Sequence, residues 1–236
     1  MNDSDHPRRL HGRKRGRKLR AGLAELVDTL LPRLTLRLPQ PPQRLDVAEA
    51  FGGRAFKDLW VEIGFGAGEH LAWQARTHAE VALIGCEPFV NGIATLLRDI
   101  DAEDLGNIRI YPDDGRDLLD TLPDAAVGRV FLLFSDPWPK RRHWQRRVIS
   151  PPTLATLARV MRPGAELRIA SDDPRLLDWT LWHLRAHPGF AWTARSAADF
   201  LERPADWPPT RYEQKQIRGR PAYLTFVRTA VAQAAN

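Results

Sequence analysis

The chain has 236 residues, 43% of them hydrophobic and 27% charged, which suits a soluble globular protein built on one large domain. Its single cysteine, Cys86, excludes an internal disulfide framework and fits a reducing, cytoplasmic setting. No apolar run reaches the length of a membrane span, and the cationic N-terminus lacks the apolar core of a secretory signal. The net charge of +6 sits in a tail: residues 1–20 hold eight Lys/Arg against two Asp, so residues 21–236 sum to zero. This reads as a basic, disordered arm over 1–20 able to grip phosphates, attached to a single neutral domain over 21–236.

In chain order, Leu23 to Leu31 has the spacing of a short helix that Pro32 stops, and LPQPPQ (38–43) is a connector that cannot be helical. From Leu59 onward, short apolar runs alternate with helical patterns. Strands are expected at 59–63, 81–87, 107–111, 130–134 and 166–170, each continuously apolar as a parallel sheet covered on both faces requires. Later strands are expected at 190–194 and 223–227. Phe89, Ile93, Leu96, Leu97 and Ile100 share one helical face. Leu154, Leu157, Ala158 and Met161 share another, with Pro163-Gly164 ending that helix. Asp173 and Pro174 read as the N-cap and first residue of a further helix. The alternation predicts an α/β, Rossmann-like, doubly wound and mostly parallel seven-stranded sheet, which binds ligands beyond the carboxyl ends of its strands.

The first strand is followed by EIGFGAGEH, in which Gly64, Gly66 and Gly68 alternate just before a helix. Glycines there let backbone N–H groups approach a ligand closely. The spacing is G-x-G-x-G, not the dinucleotide G-x-G-x-x-G. Glu62 at the strand end would repel a pyrophosphate but suits a cofactor carrying an ammonium and a sulfonium, as S-adenosyl-L-methionine does. Glu87, ending the second strand, is placed to accept from two ribose hydroxyls. After the third strand, Asp113 opens a turn and Asp114 is the choice for the adenine amino group, Asp113 being the alternative.

After the fourth strand comes FSDPWPKRRHWQRR (134–147). Pro137 and Pro139 stiffen the loop around Trp138. A stiff loop offering a carboxylate, Asp136, and an indole resembles a base-binding site, and guanine places a ring N–H beside an amino group, so both can donate to one carboxylate. Lys140, Arg141, Arg142, Arg146 and Arg147 would then meet phosphates. His183 and His187 stand four residues apart without a third ligand, so no metal is expected.

At these residues the chain resembles the bacterial tRNA (guanine-N7-)-methyltransferase family, within the class I S-adenosylmethionine-dependent methyltransferases. The matching stretches are EIGFGAGEHL, GCEPFVNGI, FLLFSDPWPKRRHWQRRVI, LRIASDD and TRYEQKQIRGRPAYLTF, spanning about 58 to 228, and GRKRGRKLRAGLAELVDTLLPRL nearer the start. The D-P-W-P-K-x-R-H block and T-R-[FY]-E are the specific motifs. The resemblance implies cofactor acids at Glu62, Glu87, Asp114 and Asp136, with Asp136 also catalytic. It implies substrate contacts at Lys140, Asp172, Thr210, Arg211, Tyr212 and Glu213. Ser171 stands where many members have threonine, and the segment after Asp172 lacks an aromatic often found there. The implied reaction is methyl transfer to N7 of guanine 46 in the tRNA variable loop, by a monomer or homodimer. The rival readings are a methyltransferase for another RNA or a small molecule, a non-catalytic RNA-binding protein, and a nicotinamide oxidoreductase.

Overall fold

The computed structural model describes residues 14–40, 42–215 and 218–230. Seven strands form one sheet: β1 (Asp58–Ile63), β2 (Val81–Cys86), β3 (Ile108–Tyr111), β4 (Val127–Leu133), β5 (Met161–Ser171), β6 (Phe190–Trp192) and β7 (Ala222–Arg228). The helices are α1 (Ala21–Thr29), α2 (Leu31–Leu34), α3 (Val47–Ala50), α4 (Glu69–Thr77), α5 (Val90–Glu103), α6 (Gly115–Thr121), α7 (Pro151–Val160), α8 (Pro174–Ala186), α9 (Ala198–Leu201) and α10 (Arg211–Lys215). The strand order is β3-β2-β1-β4-β5-β7-β6, parallel through β5, with β7 antiparallel to both its neighbours. The order reverses between β1 and β4, so the crevice at their carboxyl ends is the natural ligand site.

The apolar runs become strands because both sheet faces are covered. Val61, Ile63, Ile84, Val130, Leu132, Leu167 and Ile169 pack on one face. Trp60, Leu83 and Phe131, alternating with them, pack on the other against Ile93 and Leu97 of α5. Glu62 is level with Gly85 of β2 and Phe131 of β4, which sets it, still buried, at the switch point.

Three local expectations are corrected. Pro32 does not end helical structure: a short turn, α2, starts at Leu31 and accepts Pro32 in its first turn, where no N–H is needed. Met161 is not helical: α7 ends at Val160, and Met161 pairs with Val127 as the first residue of β5. Gly164 at φ 83 and a register shift between Val127 and Arg129 carry the strand past Pro163. Residues 14–17, counted with the tail, lie on the start of α5. The Lys14 carbonyl accepts from Val90 N (3.0 Å), and the Asn91 side chain accepts from Gly16 N (2.6 Å) and donates to the Arg17 carbonyl (2.7 Å).

Candidate active site at the strand tips

The carboxyl ends of β1, β2, β3 and β4 open onto one cavity of about 680 Å³, within the range that holds cofactor-sized ligands. Its lining includes Glu62, Gly64, Gly66, Glu87, Asp113, Asp114, Asp136, Trp138, Thr210, Arg211 and Tyr212.

The glycine loop is dictated by backbone conformation. Gly64, Gly66 and Gly68 have φ of 76°, 58° and 81°, which residues with a Cβ rarely adopt. Gly68 is also packed: a Cβ would come within 2.7 Å of Leu96. The loop is tied to β2 through Glu87. Its Oε2 accepts from Gly66 N (2.9 Å) and its Oε1 from Phe89 N (2.9 Å), leaving each oxygen a further lone pair toward the cavity. Burial pushes the Glu87 carboxyl above the usual range, and the Asp136 and Glu62 charges add to the rise, while the two N–H groups oppose it.

Glu62 is 2% exposed. Its Oε2 meets His70 Nδ1 at 2.7 Å. Asp114 caps α6 by accepting from Arg116 N (3.0 Å), and the Arg116 guanidinium grips the same carboxylate, Nη2 to Oδ2 at 2.5 Å. Asp113 turns Oδ1 back onto Asp114 N (2.8 Å). Cys86 lies in the wall, but burial and the surrounding carboxylates push its thiol well up, which excludes a ready thiolate.

Asp136 is exposed and stands across the cavity on a strained loop. Phe134 (φ 50) and Trp138 (φ 43) flank it in the left-handed region, where non-glycine residues are uncommon. The Arg146 guanidinium lies 4.8 Å over the Trp138 ring. Arg147 is 3% exposed and donates from Nε to the Pro137 carbonyl. The expectation of five phosphate-facing cations is therefore corrected at Arg147, an internal clamp buried against two indoles and a carbonyl, while Arg146 is half-buried against Trp138 in the cavity wall. Lys140, Arg141 and Arg142 remain exposed around the short 3₁₀ helix Arg141–Arg146.

The model family described as a putative methyltransferase matches residues 57–224. A protein of Paramagnetospirillum magneticum named tRNA (guanine-N(7)-)-methyltransferase is 51% identical over 224 residues, covering 94% of this chain and 93% of its own. A protein of the same name from Rhodospirillum rubrum is 50% identical, covering 93% and 88%. The chain belongs to the tRNA (guanine-N7-)-methyltransferase family. Among solved structures, the 16S rRNA methyltransferase KamB superposes with a TM-score of 0.55 at 17% identity, covering 83% of this chain and all of its own. A 16S rRNA (adenine(1408)-N(1))-methyltransferase from Catenulisporales acidiphilia, solved as a variant with its cosubstrate SAM, gives 0.53 at 17% identity, covering 80% and 92%. At that identity the likeness speaks for the fold, a class I methyltransferase sheet.

The family's T-R-Y-E motif has a local structural meaning. Glu213 N donates to Thr210 Oγ1 (3.2 Å) and Thr210 N to Glu213 Oε2 (3.4 Å), a reciprocal capping box that starts α10. Glu213 Oε1 also accepts from the Tyr223 hydroxyl (2.5 Å) and pairs with Arg203 Nε (3.1 Å). Arg211 is bound to Glu69, backbone N to Oε2 at 2.7 Å, so this segment sits over the glycine-loop helix as the cavity's outer wall. Thr210, Arg211 and Tyr212 line the cavity, whereas Lys140, Asp172 and Glu213 do not. Asp172 is buried and accepts from Arg218 N (3.1 Å), and Lys140 stays at the exposed rim.

Sequence reasoning missed His70, Gln74 and Gly92. A Cβ on Gly92 would stand 2.1 Å from the Gly66 carbonyl oxygen, so this α5 glycine lets the glycine loop seat. Among the described residues no group of three or more His, Cys, Asp or Glu is placed to hold a metal ion, and no helix is long and apolar enough to cross a membrane.

Proposed function

We propose that this protein is a cytoplasmic enzyme that transfers a methyl group from S-adenosyl-L-methionine to N7 of a guanine in tRNA, at position 46 of the variable loop. The observation that carries the reading is the convergence of Glu62, Glu87 and Asp114 on one cavity, with Asp136 facing them from a strained loop beside exposed cations. The names of the relatives supply guanine N7 and tRNA.

The donor set fits this cofactor. Glu62 answers an ammonium, the free lone pairs of Glu87 answer ribose hydroxyls, and Asp114, aligned by Arg116, answers the adenine amino group. When bound, the cofactor supplies a methyl on a positive sulfur. Guanine N7 has an in-plane lone pair and no proton to lose, so its attack needs no base. Methylation at N7 would leave the purine ring positively charged, and that charge is what the chain's own residues must accommodate. The chain's task is placement and charge stabilisation. Asp136 accepts from guanine N1–H and the amino group and favours the developing cation. Trp138 and Tyr212 wall the base, and Lys140, Arg141 and Arg142 meet phosphates.

The test is incubation with unmodified tRNA transcript and labelled cofactor, followed by nucleoside analysis and mapping of the labelled position. 7-Methylguanosine at position 46, lost when that guanine is replaced, is expected. Label at another position or on another nucleoside defeats the reading.

A further inference from the structure

His70 is a buried histidine in an apolar cage. It is 2% exposed, with the Phe131 and Trp207 rings 4.6 and 5.7 Å from its own. Stability alone would be served by an apolar side chain there, since a buried polar group costs unless it is fully partnered. The imidazole instead joins a polar chain. Nδ1 meets Glu62 Oε2 at 2.7 Å, and Nε2 meets Gln74 Nε2 at 3.1 Å.

Hydrogen-bond accounting fixes the direction of that chain. Gln74 Nε2 also donates to the Asp206 carbonyl at 3.1 Å, and a carbonyl only accepts, so the amide nitrogen is the atom facing His70. Nε2 of His70 is then an acceptor, and the ring proton is on Nδ1, aimed at Glu62. Held this way, Gln74 Oε1 is buried without a hydrogen-bond partner, whereas a flip would set it against the Asp206 carbonyl.

We infer that His70 is a positioning residue for the cofactor's amino-acid end: oriented by Gln74, it pins Glu62 Oε2 and turns Oε1 toward the cofactor ammonium. This rests on the reading of Glu62 as the ammonium partner. Free rotation of Glu62 would dilute that geometry.

Two ligands separate positioning from mere folding. Adenosylhomocysteine carries the ammonium, and methylthioadenosine keeps the adenosine and thioether but lacks the amino-acid end. Calorimetry on wild type, His70→Leu and His70→Asn, with melting curves for each, is the experiment. His70→Leu is expected to weaken adenosylhomocysteine roughly tenfold and to leave methylthioadenosine within twofold. His70→Asn, whose amide can stand where Nδ1 stands, is expected to recover most of the loss, and it carries the test if the leucine variant does not fold. An equal loss for both ligands, or no loss for adenosylhomocysteine, overturns the inference alone. Wild-type protein that binds the two ligands equally well defeats the role given to Glu62, and this inference with it.

Discussion

Arg147 donates from Nε to the Pro137 carbonyl at 2.9 Å while its guanidinium lies 5.1 and 4.8 Å from the ring centroids of Trp144 and Trp179. The residue before Pro137 is Asp136, and the left-handed Phe134 and Trp138 on either side cost about 1 kcal/mol or more each. Something outside the loop must hold it, and the stacked guanidinium does. Arg147→Ala is expected to lower kcat by roughly 10- to 100-fold through misplacement of Asp136, with the dissociation constant for adenosylhomocysteine nearly unchanged. Arg147→Lys should recover little, because an ammonium has neither a flat face to lay against the two indoles nor a planar fork. Steady-state kinetics beside calorimetry checks this, and a lysine variant of wild-type turnover would remove the clamp from the argument.

Asp136→Asn tests the carboxylate itself. An amide of the same shape turns an N–H toward guanine's own donors and carries no charge to favour the forming cation. Turnover should fall about 100-fold or more, with cofactor affinity within a small factor. Single-turnover methylation with saturating tRNA separates this from weaker RNA binding, and near-normal turnover would strip Asp136 of its role.

Glu87 sets a pH dependence. Burial raises its carboxyl, with Asp136 and Glu62 adding to the shift and the N–H groups of Phe89 and Gly66 opposing it. If Glu87 accepts from ribose hydroxyls as proposed, the ionised form is the stronger acceptor, so cofactor affinity should begin to fall, on acidification, at a higher pH than an ordinary glutamate would dictate. For the ligand-free fold the raised carboxyl works the other way. Its contribution to stability is full below the unfolded-state value and is lost as pH rises through the folded one. Titration of adenosylhomocysteine from about pH 8 to about pH 5 should show the fall, and Glu87→Gln should bind weakly with a flatter profile. A variant profile parallel to wild type would place the titrating group elsewhere.

Strand-tip acids were legible because strand and acid are adjacent in sequence: Glu62 is the last residue but one of β1, and Glu87 directly follows β2. His70 was not, since on a helix it reads as one more residue of an amphipathic pattern, and only folding brings Asp206 to Gln74. Met161 misled because it is buried either way, so the periodicity of Leu154, Leu157 and Ala158 runs on after the backbone has become extended. The cations of 140–147 look alike in sequence, and only the indoles of Trp144 and Trp179 withdraw Arg147 from solvent. The capping box in T-R-Y-E was readable from its spacing, and it stands beside the substrate role that the family resemblance implies for those residues.

Gly92 joins helix packing to the seating of the glycine loop. Its missing side chain lets α5 approach the glycine loop, where a Cβ would be 2.1 Å from the Gly66 carbonyl oxygen, a backbone atom with no rotamer to yield. Gly92→Ala therefore gains helix propensity yet must push the loop. A net loss of about 1–3 kcal/mol is expected, a fall of roughly 3–10 °C in Tm. Cofactor affinity should fall as well, because Gly66 N leaves its bond to Glu87. Thermal melting with and without adenosylhomocysteine checks both, and a variant more stable than wild type with unchanged affinity would show that the loop yields freely.

Lys140, Arg141 and Arg142 are the cations of the Asp136 loop region that remain exposed, and they stand at the rim beyond the cavity wall. If they meet tRNA phosphates, binding releases counterions, and each contact adds about 0.7–0.9 to the slope of log K against log salt. Replacing all three with alanine should lower the magnitude of that slope by about 2 and weaken binding similarly for every tRNA, since phosphate contacts carry no sequence. Arg147→Ala, which removes a buried charge of the same sign, should leave the slope nearly as it was. Filter binding across a salt series makes the comparison. A triple variant with the wild-type slope would mean that these side chains are solvated in the complex, and that the tRNA backbone is held from another face.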